Sequence, residues 1–236
     1  MVLVADCVTK SFGDHRVLSA GSLRAVAGEV RVIFGRNGIG KSTLMKIAAG
    51  WMQPDSGVVH LRRQALLHAS LPRLARAGIF FLPDQSLFSD AWSIGRQLQF
   101  FARRFGGPSI AECAERTGVA HVLSRRPYEV SGGELRRAEL AAVLARRPDC
   151  LLADEPYRGI APVDHEVLTG VFRSMARDGC AIVVSGHEVP TLLDAADHIT
   201  WCTAGTTYEL GAPTLAREHE AFVRDYLGPH LMRVRT

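Results

Sequence analysis

Val30-Arg-Val-Ile-Phe34 runs straight into Gly35-Arg36-Asn37-Gly38-Ile39-Gly40-Lys41-Ser42-Thr43. Leu44, Met45, Ile47 and Ala48 then repeat at helical spacing as far as Gly50. An apolar strand, a glycine-rich turn and a helix thus follow one another without a break. Gly35, Gly38 and Gly40 are expected to free the backbone for conformations closed to other residues, so that successive N–H groups and the helix N-terminus point at phosphate oxygens. In that setting Lys41 would reach the β and γ phosphates of a nucleotide, and the Ser42 hydroxyl would bind Mg²⁺. The bland alternative, a glycine turn capping a helix with Lys41 on the surface, leaves the preceding strand and the full G-x-x-x-x-G-K-S spacing unexplained. Lys41 is also one of only three lysines in the chain, with Lys10 and Lys46.

The rest of the composition narrows the class. The chain has 236 residues, 47% hydrophobic and 22% charged, so it can bury a core without metals or disulfide staples, and wholesale disorder, collagen and coiled coil are excluded. No run approaches the roughly 18 to 20 apolar residues of a membrane span, and the first residues lack the pattern of a secretory signal, so a cytosolic protein is expected. Five cysteines (Cys7, Cys113, Cys150, Cys180, Cys202) stand far apart with no C-x-x-C, which reads as reduced thiols. The net charge of +4 comes from scattered arginine pairs, so no nucleic-acid partner is expected.

Two further stretches carry chemistry. Asp149-Cys-Leu-Leu-Ala-Asp154-Glu155-Pro156 is a second apolar strand ending in two acids, at the end of a parallel strand where ligands bind. Asp154 is placed to hold Mg²⁺ through water, and Glu155 to orient and polarise the water that attacks a γ-phosphate. Without the glycine loop, such a pair would read as a solvated turn. Ser131-Gly132-Gly133-Glu134 opens a helix that ends at Arg146-Arg147 before Pro148. S-x-x-E is a plain capping box, but a glycine pair in a first helical turn costs backbone entropy, and the close approach of an anion would account for it.

Gly35 to Ser42, Ser131 to Glu134 and Asp154-Glu155, in this order, resemble the ATP-binding cassette ATPases over nearly the whole chain. The resemblance implies an α/β fold: a P-loop NTPase with a RecA-like core (about residues 1–85 and 134–236), a small antiparallel β region near the N-terminus, and an inserted helical subdomain (about 86–133). It implies ATP and Mg²⁺ as cofactors, Phe12 as the aromatic on adenine, and His187 after the strand Ala181–Val184 as a contact to the γ-phosphate. Otherwise Phe12 would be read as core and His187 as the cap of a strand. The tail from Gly211 to Gly228 is similar to those of the branched-chain amino-acid importer and lipopolysaccharide-exporter cassettes.

The resemblance further implies a dimer, homomeric or heteromeric, in which Ser131 and Gly133 complete an ATP site whose Lys41 belongs to the other chain. A separate membrane-spanning transporter subunit would dock near the Gln85–Ile94 loop, where Leu87, Phe88, Ala91, Trp92 and Ile94 are apolar, and would hold the chain at the inner face of the cell membrane. Packing of Phe88 and Trp92 inside the insert is the competing expectation. Two positions depart from the family. Asp84 stands where glutamine is usual, so the metal and partner sensor is Asp84 or the next residue, Gln85. Ala161 replaces an aspartate that helps couple the two ATP sites, and Glu134 is a milder change from glutamine. These departures motivate a rival reading as a weakly hydrolytic regulatory cassette. A soluble ATP-dependent switch is a second rival, although such relatives usually carry two cassettes or a long coiled-coil insert.

Overall fold

The computed structural model describes residues 1–228. Its centre is a sheet of ten strands in the order β5-β4-β1-β2-β10-β9-β3-β8-β7-β6. The strands are β1 (Leu3–Phe12), β2 (His15–Ala25), β3 (Val30–Phe34), β4 (Ser56–Leu61), β5 (Gln64–Leu66), β6 (Ile79–Leu82), β7 (Cys150–Ala153), β8 (Ala181–Gly186), β9 (His198–Thr203) and β10 (Thr206–Gly211). The first four in the sheet order pair antiparallel, which is the small β region expected near the N-terminus. The run β9-β3-β8-β7-β6 is parallel. β3, β6, β7 and β8 are buried at every position, because helices or other strands cover both faces of a parallel sheet.

The alternation of side chains along these strands feeds two cores. Val32, Phe34, Leu151, Ala153, Ile182 and Val184 face one side. Ile33, Cys150, Leu152, Ala181 and Val183 face the other, against β1, β2 and helix α1 (Lys41–Ala48). A second short helix, α2 (Leu71–Arg76), precedes β6. Between β6 and β7 the chain is helical, with α3 (Ile94–Phe105), α4 (Ile110–Thr117) and α5 (Gly132–Arg146). Ser93, Ser109 and Ser131 cap these helices by accepting a backbone N–H of the first turn, and Gly106 and Gly118 end α3 and α4 in left-handed geometry. α6 (Pro162–Arg177) and α7 (Val189–Ala195) follow β7 and β8.

In a parallel run all carboxyl ends lie along one edge. That edge therefore carries the glycine loop after β3, Asp154-Glu155 after β7, His187 after β8 and Pro83–Gln85 after β6.

Candidate functional site

The glycine loop is shaped by two different constraints. Gly38 and Gly40 have φ of +79° and +113°, which side-chain-bearing residues rarely adopt. Gly35 has no such angle. It is glycine for lack of space, since a Cβ there would lie 2.5 Å from the Cys202 carbonyl oxygen of β9. Of the three glycines expected to need special backbone conformations, Gly38 and Gly40 do, whereas Gly35 is required by packing against β9.

Helix α1 starts at Lys41 with Gly40 as its N-cap and no side-chain cap, so the N–H groups of its first turn stay available to an anion. Lys41 is 4% exposed, and its Nζ donates to the carbonyl oxygens of Gly35 (2.7 Å) and Arg36 (3.2 Å). Burial lowers its pKa, and nearby Glu155 partly offsets this. The ammonium is thus poorly hydrated and held at the loop, a suitable setting for binding phosphate. Ser42, Thr43 and Ile39 are half-buried in the same turn, while Arg36, Asn37 and Gly38 are exposed at the loop's tip.

The two acids after β7 differ in environment. Asp154 is fully buried; its Oδ1 accepts from the Ser185 hydroxyl at 2.6 Å, and its Oδ2 has no hydrogen-bond partner among the described residues. A buried carboxylate oxygen without a donor is costly unless a cation or water comes to it. Glu155 has φ of +46°, a left-handed backbone that costs on the order of 1–3 kcal/mol for a non-glycine residue. Its N–H donates to the Ser185 hydroxyl oxygen at 3.0 Å, which helps to hold that geometry. The strained turn places the Glu155 carboxylate 3.9 Å from Lys41 Nζ, 3.8 Å from His187 Nδ1 and 4.0 Å from exposed Arg158. His187 is half exposed, and its Nε2 lies 3.5 Å from Glu188 Oε1.

Lys41, Glu155 and His187 therefore come together, with Asp154 beside them, from three strands far apart in sequence. Ser185 and Glu188 were not anticipated. Ser185 lies in an apolar strand and shows its role only through the register of β7 with β8, whereas Glu188 adjoins His187 and a search for carboxylates beside the histidine would have found it.

The signature stands apart. None of the hydrogen bonds or ion pairs of Ser131–Glu134 reaches residues 35–43 among the described residues. Ser131 and Gly132 are exposed, and Ser131 and Glu134 form the complete capping box, with Ser131 N–H donating to Glu134 Oε2 at 2.9 Å and Glu134 N–H to Ser131 Oγ at 3.2 Å. His121 Nε2 lies 2.9 Å from Glu134 Oε1. The Ser131 N–H, His121 and the Ser131 hydroxyl together pull the Glu134 pKa down to about 2. The glycine pair also has a partly different cause from the one expected. A Cβ on Gly133 would meet Asp164 Oδ2 of α6 at 2.1 Å, so Gly133 makes room for a carboxylate of its own chain. Gly132 alone opens onto free surface, 3.8 Å from the nearest atom a Cβ would meet.

Phe12 is 48% exposed with Lys10 Nζ 6.0 Å from the ring centroid, so it is not a core residue. In the loop after β6 the two competing expectations divide by residue. Phe88 and Ile94 are buried in the core, while Trp92 is 46% exposed with the Arg96 guanidinium stacked 3.7 Å from its ring centroid. Asp84 is half-buried and Gln85 exposed. The tail closes back on the glycine loop: Tyr226 stacks on Phe222 and packs on Phe34, and Arg36 donates to the Asp225 carbonyl oxygen at 3.2 Å.

A phosphate-binding loop, two acids and a histidine at one edge of a parallel sheet define a nucleotide-hydrolysing P-loop protein. The sequence pattern of the ABC transporter family spans residues 18–158, and the chain belongs to that family. It is 31% identical over 226 residues, covering 92% of this chain and 79% of the relative, to the zinc import ATP-binding protein ZnuC of Paramagnetospirillum magneticum. It is 26% identical to the lipopolysaccharide export system ATP-binding protein LptB of Haemophilus influenzae, over 96% of this chain and 97% of that one. Its fold matches the dimeric structure of MJ0796, a bacterial ABC transporter cassette, with a TM-score of 0.78 at 22% identity, over 88% of this chain and 98% of that one. The chain is an ATP-binding, ATP-hydrolysing cassette of the transport-coupled kind. No helix among the described residues is long and apolar enough to cross a membrane.

Proposed function

We propose that this chain supplies the energy of a transporter by closing on ATP as one half of a cassette dimer, and that residues 35–43, Asp154, Glu155 and His187 form its half of one ATP site while its signature serves the other. The observation that carries this reading is the convergence of Lys41, Glu155 and His187 within 4 Å contacts beside the donor-less Asp154 Oδ2. Lys41 and the first-turn N–H groups of α1 would bind the β and γ phosphates, with Phe12 against the adenine. Glu155 would hold the attacking water and accept its proton, and His187 would donate to the γ-phosphate while its other nitrogen faces a carboxylate. The residues present suit Mg²⁺, a hard cation that takes few protein oxygens beside phosphate: the Ser42 hydroxyl, Asp154, and Asp84 or Gln85 would hold it. When bound, it would neutralise charge on the β and γ phosphates.

The signature Ser131–Glu134, with Ser131 and Gly132 exposed and none of its hydrogen bonds reaching its own chain's loop among the described residues, would complete the site of a second cassette, identical or homologous. The exposed Trp92 and the Gln85–Ile94 loop would receive a membrane-spanning subunit at the inner face of the cell membrane, the helical segment of about 86–133 acting as the docking subdomain. The test is phosphate release from purified chain with Mg-ATP. Turnover that vanishes in Glu155→Gln while nucleotide binding persists supports a hydrolysing site, and an unaltered rate in that variant overturns it. Absence of turnover in the parent would instead favour the weakly hydrolytic reading that Ala161 and Asp84 motivate.

A further inference from the structure

Arg136 and Glu139 are among the few charged side chains buried in this chain, with side chains 9% and 2% exposed on the inner face of α5. They pair with each other at 3.0 Å, and both also hold backbone of the loop after β6. Arg136 donates through Nη1 to the Pro83 carbonyl oxygen at 3.0 Å and through Nη2 to the Asp84 carbonyl oxygen at 2.9 Å. Glu139 Oε1 accepts the Leu87 N–H at 2.7 Å. Burial raises the Glu139 pKa in spite of Arg136 and the Leu87 N–H, so keeping a carboxylate here is costly.

A buried ion pair is seldom the most stable filling for such a site, because apolar residues of similar volume avoid the desolvation. An apolar pair, however, could not grip carbonyl and N–H groups on both sides of Ser86. The planar guanidinium reaches two successive carbonyls, as its fork geometry allows. Three backbone contacts therefore tie residues 83–87 to a helix whose first turn is the signature, and Ser131 is only five residues before Arg136. The next residue, Arg137, extends the other way: its Nε lies 3.0 Å from Asp164 Oδ1 of α6, the carboxylate that lies over Gly133.

We infer that the Arg136–Glu139 pair is a positioning clamp that makes the loop after β6 and the signature helix move as one body, so that a displacement at residues 83–88 is delivered to Ser131 and Gly133. The inference deepens the proposed function and rests on its reading of that loop as the metal and docking segment. Arg136 and Glu139 are buried against each other and the loop backbone, and act through the loop they hold.

The experiment uses the full chain with Mg-ATP and three variants: Arg136→Met/Glu139→Leu, which removes both charges together; Glu139→Gln, which still accepts from Leu87; and Arg136→Lys. Thermal melting checks folding, hydrogen exchange reads the Leu87 amide, and steady-state hydrolysis gives kcat and KM for ATP. In the double variant the Leu87 amide should exchange at least about tenfold faster and kcat should fall about tenfold, with KM for ATP within about twofold. Glu139→Gln should recover most of the kcat loss, and Arg136→Lys less. A folded double variant with parent kcat, or with unchanged exchange at Leu87, overturns the clamp. Asp84→Ala and Gln85→Ala test the loop reading separately. If both keep the parent rate, the reading of the loop fails; if they fall while the double variant does not, only the clamp fails.

Discussion

The carboxyl edge of the parallel sheet and the first turn of α5 both present the short polar residues and glycines of a phosphate site, yet they are built oppositely. At the sheet edge, groups are left in need of a ligand: Asp154 Oδ2 lacks a donor among the described residues, Lys41 is buried, and Glu155 is held in a strained turn. At the signature the Ser131 and Glu134 side chains are already answered within the chain, by the capping box and by His121. Unmet polarity marks the half of a site that the chain itself organises for chemistry. Local satisfaction with an exposed Ser131 and Gly132 marks a surface that can meet something external without first being stabilised by it.

The largest effect that would test this contrast is Glu155→Gln, expected to slow phosphate release by about 10²–10³-fold with ATP affinity retained, read from steady-state hydrolysis and equilibrium binding. Ser131→Ala should cost about 10²-fold in rate if it removes a donor to the γ-phosphate. The two differ in where they act. Mixing Glu155→Gln chain with Ser131→Ala chain should restore about one quarter of the parent rate in a homodimer, since half of the pairs are mixed and each of these has one intact site. If the mixture stays inactive, the signature serves its own chain and the contrast breaks.

Smaller effects sharpen it. Phe88→Ala should destabilise by about 3 kcal/mol, as a core aromatic does, whereas Trp92→Ala, a few residues along, should change stability by less than about 0.5 kcal/mol and instead weaken stimulation by a membrane partner. Denaturant melts of both variants check the split. Gly133→Ala should cost about 1–2 kcal/mol by pressing on the Asp164 carboxylate, and Asp164→Ala in the same chain should restore the stability. The smallest effect concerns pH. Glu134 titrates near 4.5 when free of partners and at about 2 in the fold, so the folded chain binds fewer protons between these values. Its contribution is present above pH 4.5 and is lost as pH falls towards 2. Urea midpoints followed downward from neutral pH should decline less steeply in Glu134→Gln.

Much of the candidate site at the sheet edge was legible because its signals are local. Strand, glycine turn and Lys41-Ser42 lie within fourteen consecutive residues, and Asp154-Glu155 ends its own strand. The supporting groups were not legible, because they depend on which strands are neighbours. Ser185 reaches Asp154 across 31 positions, and Cys202 limits Gly35 across a still longer stretch of chain. The Arg136–Glu139 pair reads in sequence as two charges at i, i+3 on a helix, the usual mark of a solvated face, and only the packing of α5 under the loop after β6 buries it.

The order of amino acids by itself singled out the glycine loop and the two acids as candidate site residues, because phosphate chemistry needs particular residues at short, fixed spacings, and the family resemblance added His187. Only the tertiary structure decided which carboxylate oxygen is without a donor, why Gly35 and Gly133 are glycine, and that Phe88 is core while Trp92 is surface. Those outcomes depend on close approaches between segments distant in sequence, and such approaches are set by strand order and helix packing.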